Sequence, residues 1–459
     1  MNRKYDEFLA AKMVTDCATG MDVIPGLNPM LFEFQRDITN WALRRGRAAV
    51  FADCGLGKGP MQMEWAAKQP HECIISAPLA VAHQFVREAE KFGVDLAYAK
   101  DHAAITKRIT VTNYERLQDF HVEQFGAVAI DESSILKNSS GVYCNWMIDA
   151  FKNTPFRLCS SATPAPNDVM ELGTHAEFLG IMTRGEMLAM YFTHDGGDTS
   201  KWRIKGHAQA DFWAWLASWA VVCRRPSDLG YSDKGFVLPE LVMHQITVKV
   251  DNPTSGFLFA VEAQTLQERG QARRETIAER VMDCAAIVNA STEKFIIWTN
   301  LNAEADAVEK AIPGAVQVAG ADSMEHKEKA MRDFQDGRIR VLVSKVSIFG
   351  FGLNLQFCRN VVFLGLSDSF EAYYQAIRRC WRFGQTKPVN CYIITAETEG
   401  AVVANIKRKE RDAVAMAENM VVHMKNLNVA ALSGASVRNK TGYAPDKQMQ
   451  IPDWIRSAA

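Results

Sequence analysis

At 459 residues, 48% of them hydrophobic, the chain is long enough to bury a large core, and its length corresponds to roughly two to four domains. With 52 Lys plus Arg against 53 Asp plus Glu, the net charge of −1 argues neither for nor against a nucleic-acid partner and requires any basic groove to be local. The ten cysteines never form a C-x-x-C pair, and apolar residues nowhere run on for about eighteen positions. These features point away from zinc, disulfide and membrane classes and toward reduced thiols in a cytoplasmic protein.

Residues 1 to 20 read as a short amphipathic helix that packs onto the body, with Phe8, Leu9 and Met13 on one side. From Met30 to Gly46, Phe34, Ile38, Trp41 and Ala42 recur at helical spacing, and Gly46 can stop the helix. Gln35 near its start has an amide able to donate to and accept from an adenine edge, although a lone helical glutamine is usually just solvated. The apolar run Ala48 to Ala52 then feeds ADCGLGKGPM, a glycine turn that opens a helix. That is the layout of a phosphate cradle. Gly55 and Gly57 let backbone N–H groups turn inward, the helix N-terminus adds positive potential, and Lys58 can reach the outer phosphates. Gly59 stands where a Ser or Thr hydroxyl would bind Mg²⁺. Taken alone, the string is as readily an ordinary strand-to-helix connection.

Downstream, ECIISAP, RITVTNYERL, GAVAIDESSILKN and FRLCSSATP each change from an apolar strand to a helix or loop. This rhythm implies an α/β fold whose parallel sheet has helices on both faces and ligands at the strand carboxyl ends. Asp131 and Glu132 close the strand GAVAI, where an aspartate can hold Mg²⁺ and a glutamate can polarise an attacking water. Alone, such a pair would be read as a helix cap. About 181–243 the rhythm breaks; Phe212, Trp213, Trp215 and Trp219 there read as core, and Arg224 and Arg225 as either phosphate-facing or solvated.

HQITVKV alternates like an edge strand, and Asn252 to Asn289 is a polar helical connector. From Lys294, FIIWTN, AVQVAG, IRVLVSK, NVVFLG and NCYIITA restart the strand rhythm as a second α/β lobe. It has no glycine-lysine turn, so it should lend groups to the first lobe's nucleotide. QAIRRCWRFGQ sets Arg379 and Arg382 three residues apart, on one face if helical, suited to neutralising charge on a transferred phosphoryl group.

The order of these segments resembles helicase superfamily two, and most closely its chromatin-remodeller (Swi/Snf-like) branch, from about Met30 to Lys409. LFEFQ is similar to the glutamine motif, DCGLGKG to the family's DxGLGKT, and PLAVAHQFVREAEKF to PLSLLxxWxxE. TNYERL, IDESSILKN, SSATPAPNDVMEL, VSKVSIFGFGLNLQ and QAIRRCWRFGQTKPVNCYII follow in the same order, and the last is the most specific match.

The resemblance implies two RecA-like lobes forming an ATP-driven motor on duplex DNA, with ATP and Mg²⁺ as cofactors. It assigns Gln35 to adenine, Gly55, Gly57, Lys58 and the Gly59 position to the phosphates, Asp131 to Mg²⁺, and Glu132 to the water. Arg379 and Arg382 would complete the site, Arg382 as the finger, with Gly352 near the nucleotide and Thr163 linking the lobes. Segments beginning at Pro78, Asn113 and Ser344 would line the DNA groove. Three departures stand out: Gly59 for the hydroxyl, Ser133-Ser134 for Ala-His, and Arg378 for an acid.

The expected domains are an N-terminal helix (1–25), a first lobe (26–250), a helical connector (251–290), a second lobe (291–415) and a C-terminal arm (416–459). The resemblance also suggests a minimal motor of the phage or bacterial kind, working in the cytoplasm. The alternative is a nucleotide-gated DNA clamp with little turnover, motivated by Gly59. An RNA helicase is a weaker one.

Overall fold

The computed structural model describes residues 19–22, 24–139, 141–166, 168–195, 198–249, 266–349 and 354–434. Two parallel sheets dominate. The first holds β1 (Arg47–Ala52), β2 (Cys73–Ala77), β3 (Leu96–Tyr98), β4 (Ile109–Asn113), β5 (Ala127–Asp131), β6 (Phe156–Ser160) and β9 (Ala220–Cys223), in the order β3-β4-β2-β5-β6-β1-β9. A small antiparallel hairpin, β7 (Phe192–Asp195) and β8 (Asp198–Ile204), sits in the inserted region. The second sheet runs β10 (Leu241–Val248), β15 (Val389–Ala396), β14 (Asn360–Leu364), β11 (Phe295–Thr299), β13 (Val341–Lys345), β12 (Ala315–Val318).

These strands read as nearly continuous apolar runs because helices cover both faces of each sheet. In β1, Ala49 and Phe51 enter one core while Ala48, Val50 and Ala52 enter the other. In β11, Ile296 and Trp298 are separated from Phe295 and Ile297 in the same way. The period of two thus supplies each sheet with two cores from single strands. Phe212, Trp213, Trp215 and Trp219 are buried in the first lobe's core, as their helical spacing implied.

Three expected boundaries move. The strand around His244 is an edge strand, but it pairs along its whole length with β15, so the first lobe ends before residue 241 and not at 250. The connector is not a separate unit, since Val281, Cys284 and Val288 of helix Ile277–Asn289 pack into the second sheet's core. The expected arm does not begin at 416, since helix Gly400–Leu432 runs through that boundary unbroken for 33 residues. Its start carries Val402, Val403 and Ile406 into the second lobe, and its far end carries Met420 and Met424 into the first. The expected N-terminal helix and the chain after residue 434 lie outside the described residues.

Candidate active site

The carboxyl end of β1 delivers the chain into a tight turn in which Gly55 (φ +88°) and Gly57 (φ +81°) adopt left-handed backbone. A side chain at Gly57 would also collide with Gln35 Nε2, which a Cβ would approach to 2.2 Å. Helix Lys58–Lys68 follows with no side-chain cap, leaving its first N–H groups pointing at the turn. Lys58 Nζ donates to the carbonyls of Ala52 (2.8 Å) and Asp53 (3.3 Å), folded back over the loop that carries it.

Gln35 is buried rather than solvated. Its Nε2 donates to the Leu56 carbonyl at 2.9 Å and its Oε1 accepts from the Phe32 N–H at 3.0 Å, so it braces the phosphate turn. Each amide atom keeps one further hydrogen-bonding position.

Asp131 ends β5, and Gln62 Nε2 donates to its Oδ1 at 2.6 Å. Glu132 has φ +54°, the one positive φ outside glycine among the described residues, a strained position of the kind found at functional sites. Ser161 Oγ donates to Glu132 Oε1 at 2.6 Å, Ser134 Oγ donates to the same oxygen at 3.1 Å, and Gln375 Nε2 donates to Oε2 at 3.0 Å. Burial pushes both carboxyls above their ordinary values, opposed at Asp131 by the Gln62 hydrogen bond and at Glu132 by the Lys58 charge. A glutamate with a raised pKa is suited to accepting a proton.

The second lobe meets this edge through helix Phe370–Cys380, capped at its start by Ser369 Oγ. Gln375, already on Glu132, also receives Arg379 Nη2 at 2.8 Å. Burial lowers the Arg379 pKa, while the carboxylates of Glu132 and Asp131 are among the charges that raise it again. Arg382 does not share a helix face with Arg379. The helix ends at Cys380, and a turn through Gly384 (φ +91°) follows, with Gln385 Nε2 donating to the carbonyls of Gln356, Cys358 and Cys380.

That turn lays Arg382 and Phe383 on the phosphate loop. A Cβ at Gly55 would lie 3.0 Å from the Phe383 nitrogen and 3.8 Å from Arg382 Cβ. Burial, and then the neighbouring Arg379 charge, lower the Arg382 pKa to about 10. Among the described residues Arg382 forms no ion pair. The two lobes therefore bring Gly55, Gly57, Lys58, Asp131, Glu132, Arg379 and Arg382 to one cleft. Gly352 lies outside the described residues. The Thr163 N–H donates to Ser161 Oγ at 3.0 Å, while its own hydroxyl is buried and unpartnered.

Several participants escaped sequence reasoning. Arg378 was noted only as a departure, yet it pairs with Asp53 across the lobes at 2.9 Å, and Tyr374 donates to the other oxygen at 2.7 Å. Ser134 and Lys137 both meet Glu371 of the second lobe. Phe32, Phe236 and Phe383 form an aromatic cluster beside the turn, with centroids 4.8 to 5.9 Å apart. Gln62, which holds Asp131, was missed as well, although its spacing from Lys58 sets both on one face of their helix. Arg224 proves to be tied to Glu418 of the long helix at 2.9 Å.

A second cavity of about 1350 Å³ opens between the lobes beside this cleft, reaching Glu132 and Ser134. Pro78 and Asn113 are among its lining residues. The segment beginning at Ser344 reaches it through Ser347 and Ile348, while the Ser344 hydroxyl itself is buried on the Val318 carbonyl. Six cations, Arg87, Lys91, Arg116, Lys137, Lys327 and Arg332, face five carboxylates in the lining.

The donor set fits magnesium. Asp131 supplies one hard carboxylate, and the buried Gln62 Oε1 beside it lacks a partner. No group of three or more His, Cys, Asp or Glu suited to a metal occurs among the described residues. An ion here would therefore complete its shell with phosphate oxygens and water, as Mg²⁺ commonly does.

Residues 277–384 match the helicase conserved C-terminal domain. Over 443 residues, covering 86% of this chain, the sequence is 22% identical to the Drosophila melanogaster SWI/SNF-related matrix-associated actin-dependent regulator of chromatin subfamily A-like protein 1. Over 437 residues, 84% of this chain, it is 21% identical to the mouse (Mus musculus) DNA annealing helicase and endonuclease ZRANB3. The chain spans only 57% and 40% of the lengths of these two relatives. Among solved structures, the Sulfolobus solfataricus SWI2/SNF2 ATPase core in complex with dsDNA aligns with a TM-score of 0.41 at 15% identity, covering 88% of this chain and 97% of the other.

Proposed function

We propose that this chain, a member of helicase superfamily two on its Swi/Snf-like branch, is an ATP-driven motor that hydrolyses ATP between its lobes and moves on DNA without sequence preference. The observation that carries the reading is the seating of Arg382 and Phe383 against Gly55, which brings the second-lobe turn carrying Arg382 to the first lobe's phosphate turn.

In this reading the turn's N–H groups and Lys58 hold the triphosphate tail, with Lys58 released from its own carbonyls. Gln35 and the adjoining phenylalanines hold the base. Asp131 would hold Mg²⁺, which when bound supplies charge neutralisation on the phosphates. Glu132, with its raised pKa, accepts the proton of the attacking water. Gln375 steers Glu132 and Arg379 together, while Arg379 and Arg382 stabilise charge on the transferred group. Product release then loosens the second lobe, and the groove beside the site shifts its grip on the DNA backbone.

Groove chemistry supports a weak, sequence-blind hold. Three of its six cations are already paired, Arg87 with Glu328 at 3.6 Å, Arg116 with Asp119 at 3.3 Å and Lys137 with Glu371. Few phosphates would therefore be neutralised, and the salt dependence of binding should be shallow. The clamp alternative keeps one motivation, the missing hydroxyl at Gly59.

The test is phosphate release with and without duplex DNA, for wild type and Glu132→Gln. Stimulation by duplex DNA that vanishes in the variant supports the motor. ATP-dependent DNA retention without turnover would support the clamp, and stimulation by RNA alone would support an RNA helicase.

A further inference from the structure

Gln62 lies one helical turn beyond Lys58, fully buried. Only its nitrogen can donate to a carboxylate, so its contact with Asp131 at 2.6 Å fixes which way the amide faces. Its Oε1 is then left buried with no partner. A carbonyl shut away from water is unfavourable unless something donates to it, and native interiors seldom leave one so.

The neighbouring Gly59 offers nothing to the site. A Cβ there would meet no atom closer than 3.9 Å, with Glu88 and Phe85 the nearest, so the space for a hydroxyl-bearing side chain is open and no neighbour has filled it. A Ser or Thr hydroxyl in that position would bind the nucleotide's Mg²⁺ directly. Here the polar group nearest Asp131 on the same helix is an amide instead.

We propose that Gln62 is a positioning residue that takes over from the missing hydroxyl. Its Nε2 holds the Asp131 carboxylate in one orientation, and its unpartnered Oε1 accepts a hydrogen bond from a water carried by the magnesium ion. The inference rests on the reading of this cleft as a Mg²⁺-nucleotide site. It makes the ion's grip on the protein depend on an outer-shell contact, and Mg²⁺, which gives up its waters reluctantly, is well suited to that. It also explains how the helix can lack the hydroxyl and still present an organised acid.

The experiment is equilibrium binding of a fluorescent ADP derivative, N-methylanthraniloyl-ADP, to the full chain. It is titrated with Mg²⁺ and repeated in EDTA, for wild type, Gln62→Met, Gly59→Thr and the double variant. Expected is a rise of about tenfold or more in the Mg²⁺ midpoint of Gln62→Met, with affinity in EDTA unchanged. Gly59→Thr in the Gln62→Met background should bring the midpoint back. An unchanged midpoint, or an equal loss with and without Mg²⁺ that Gly59→Thr does not rescue, overturns the proposal. If Gln62→Met fails to melt cooperatively, Gln62→Asn, which keeps the amide but shortens its reach, is held to the same outcomes. Failure of wild type itself to bind the probe would remove the nucleotide reading, a result distinct from an unchanged midpoint in a chain that binds.

Discussion

Arg378 and Asp53 form an ion pair across the lobe interface at 2.9 Å, their side chains only 7% and 12% exposed. Asp53 and Tyr374 hold the guanidinium charged against burial, raising its pKa above the ordinary arginine value. The second lobe is thereby fastened to the root of the phosphate turn.

Removing one partner from a buried pair typically costs about 3–5 kcal/mol, because the other charge is stranded. Arg378→Met should therefore shift the chain toward an open form. Small-angle X-ray scattering should give a larger radius of gyration for the variant than for wild type without nucleotide. Equal radii would mean that the pair does not hold the lobes together.

The raised pKa of Glu132 has a signed consequence for pH dependence. As pH falls, Glu132 takes up its proton earlier than a glutamate of the ordinary value 4.5, so the acid limb of kcat/KM should lie above that value. Stability moves the opposite way. The folded state binds more protons than the unfolded one between the ordinary and the raised pKa, so this group's contribution weakens as pH rises through that window. A pH-rate profile beside urea melts at matched pH checks both signs.

Helix Gly400–Leu432 should be a structural strap for the first lobe. Met424 is fully buried there, Asn428 Nδ2 donates to the Val222 carbonyl at 3.2 Å, and His423 stacks on Trp213 with centroids 5.1 Å apart. Met424→Ala should cost about 2–5 kcal/mol, read as a lower urea midpoint of the first lobe. Val422→Ala, at 73% exposure, should stay within about 0.5 kcal/mol of wild type.

Much of this architecture was legible because parallel strands buried on both faces leave a strong apolar signature, and because Gly55, Gly57 and Lys58 mark a turn few other residues could make. The five strands read from Lys294 onward all occur. What sequence could not supply was pairing at a distance. Nothing local in Leu241–Val248 says that its partner is β15, some 150 residues later. Nothing in the last turns of the long helix says that Met420 and Met424 belong to the first lobe's core. Arg382 was legible as a charge near Arg379, but the end of the helix at Cys380, not helical spacing, puts it over Gly55.

The most direct test of the shared cleft separates binding from turnover in Arg382→Ala under saturating duplex DNA. The account expects nucleotide affinity to stay within about threefold of wild type while turnover falls by roughly 10³ or more, the contribution of a finger arginine. Turnover at the wild-type rate would contradict it, since the second lobe would then contribute no group to the reaction.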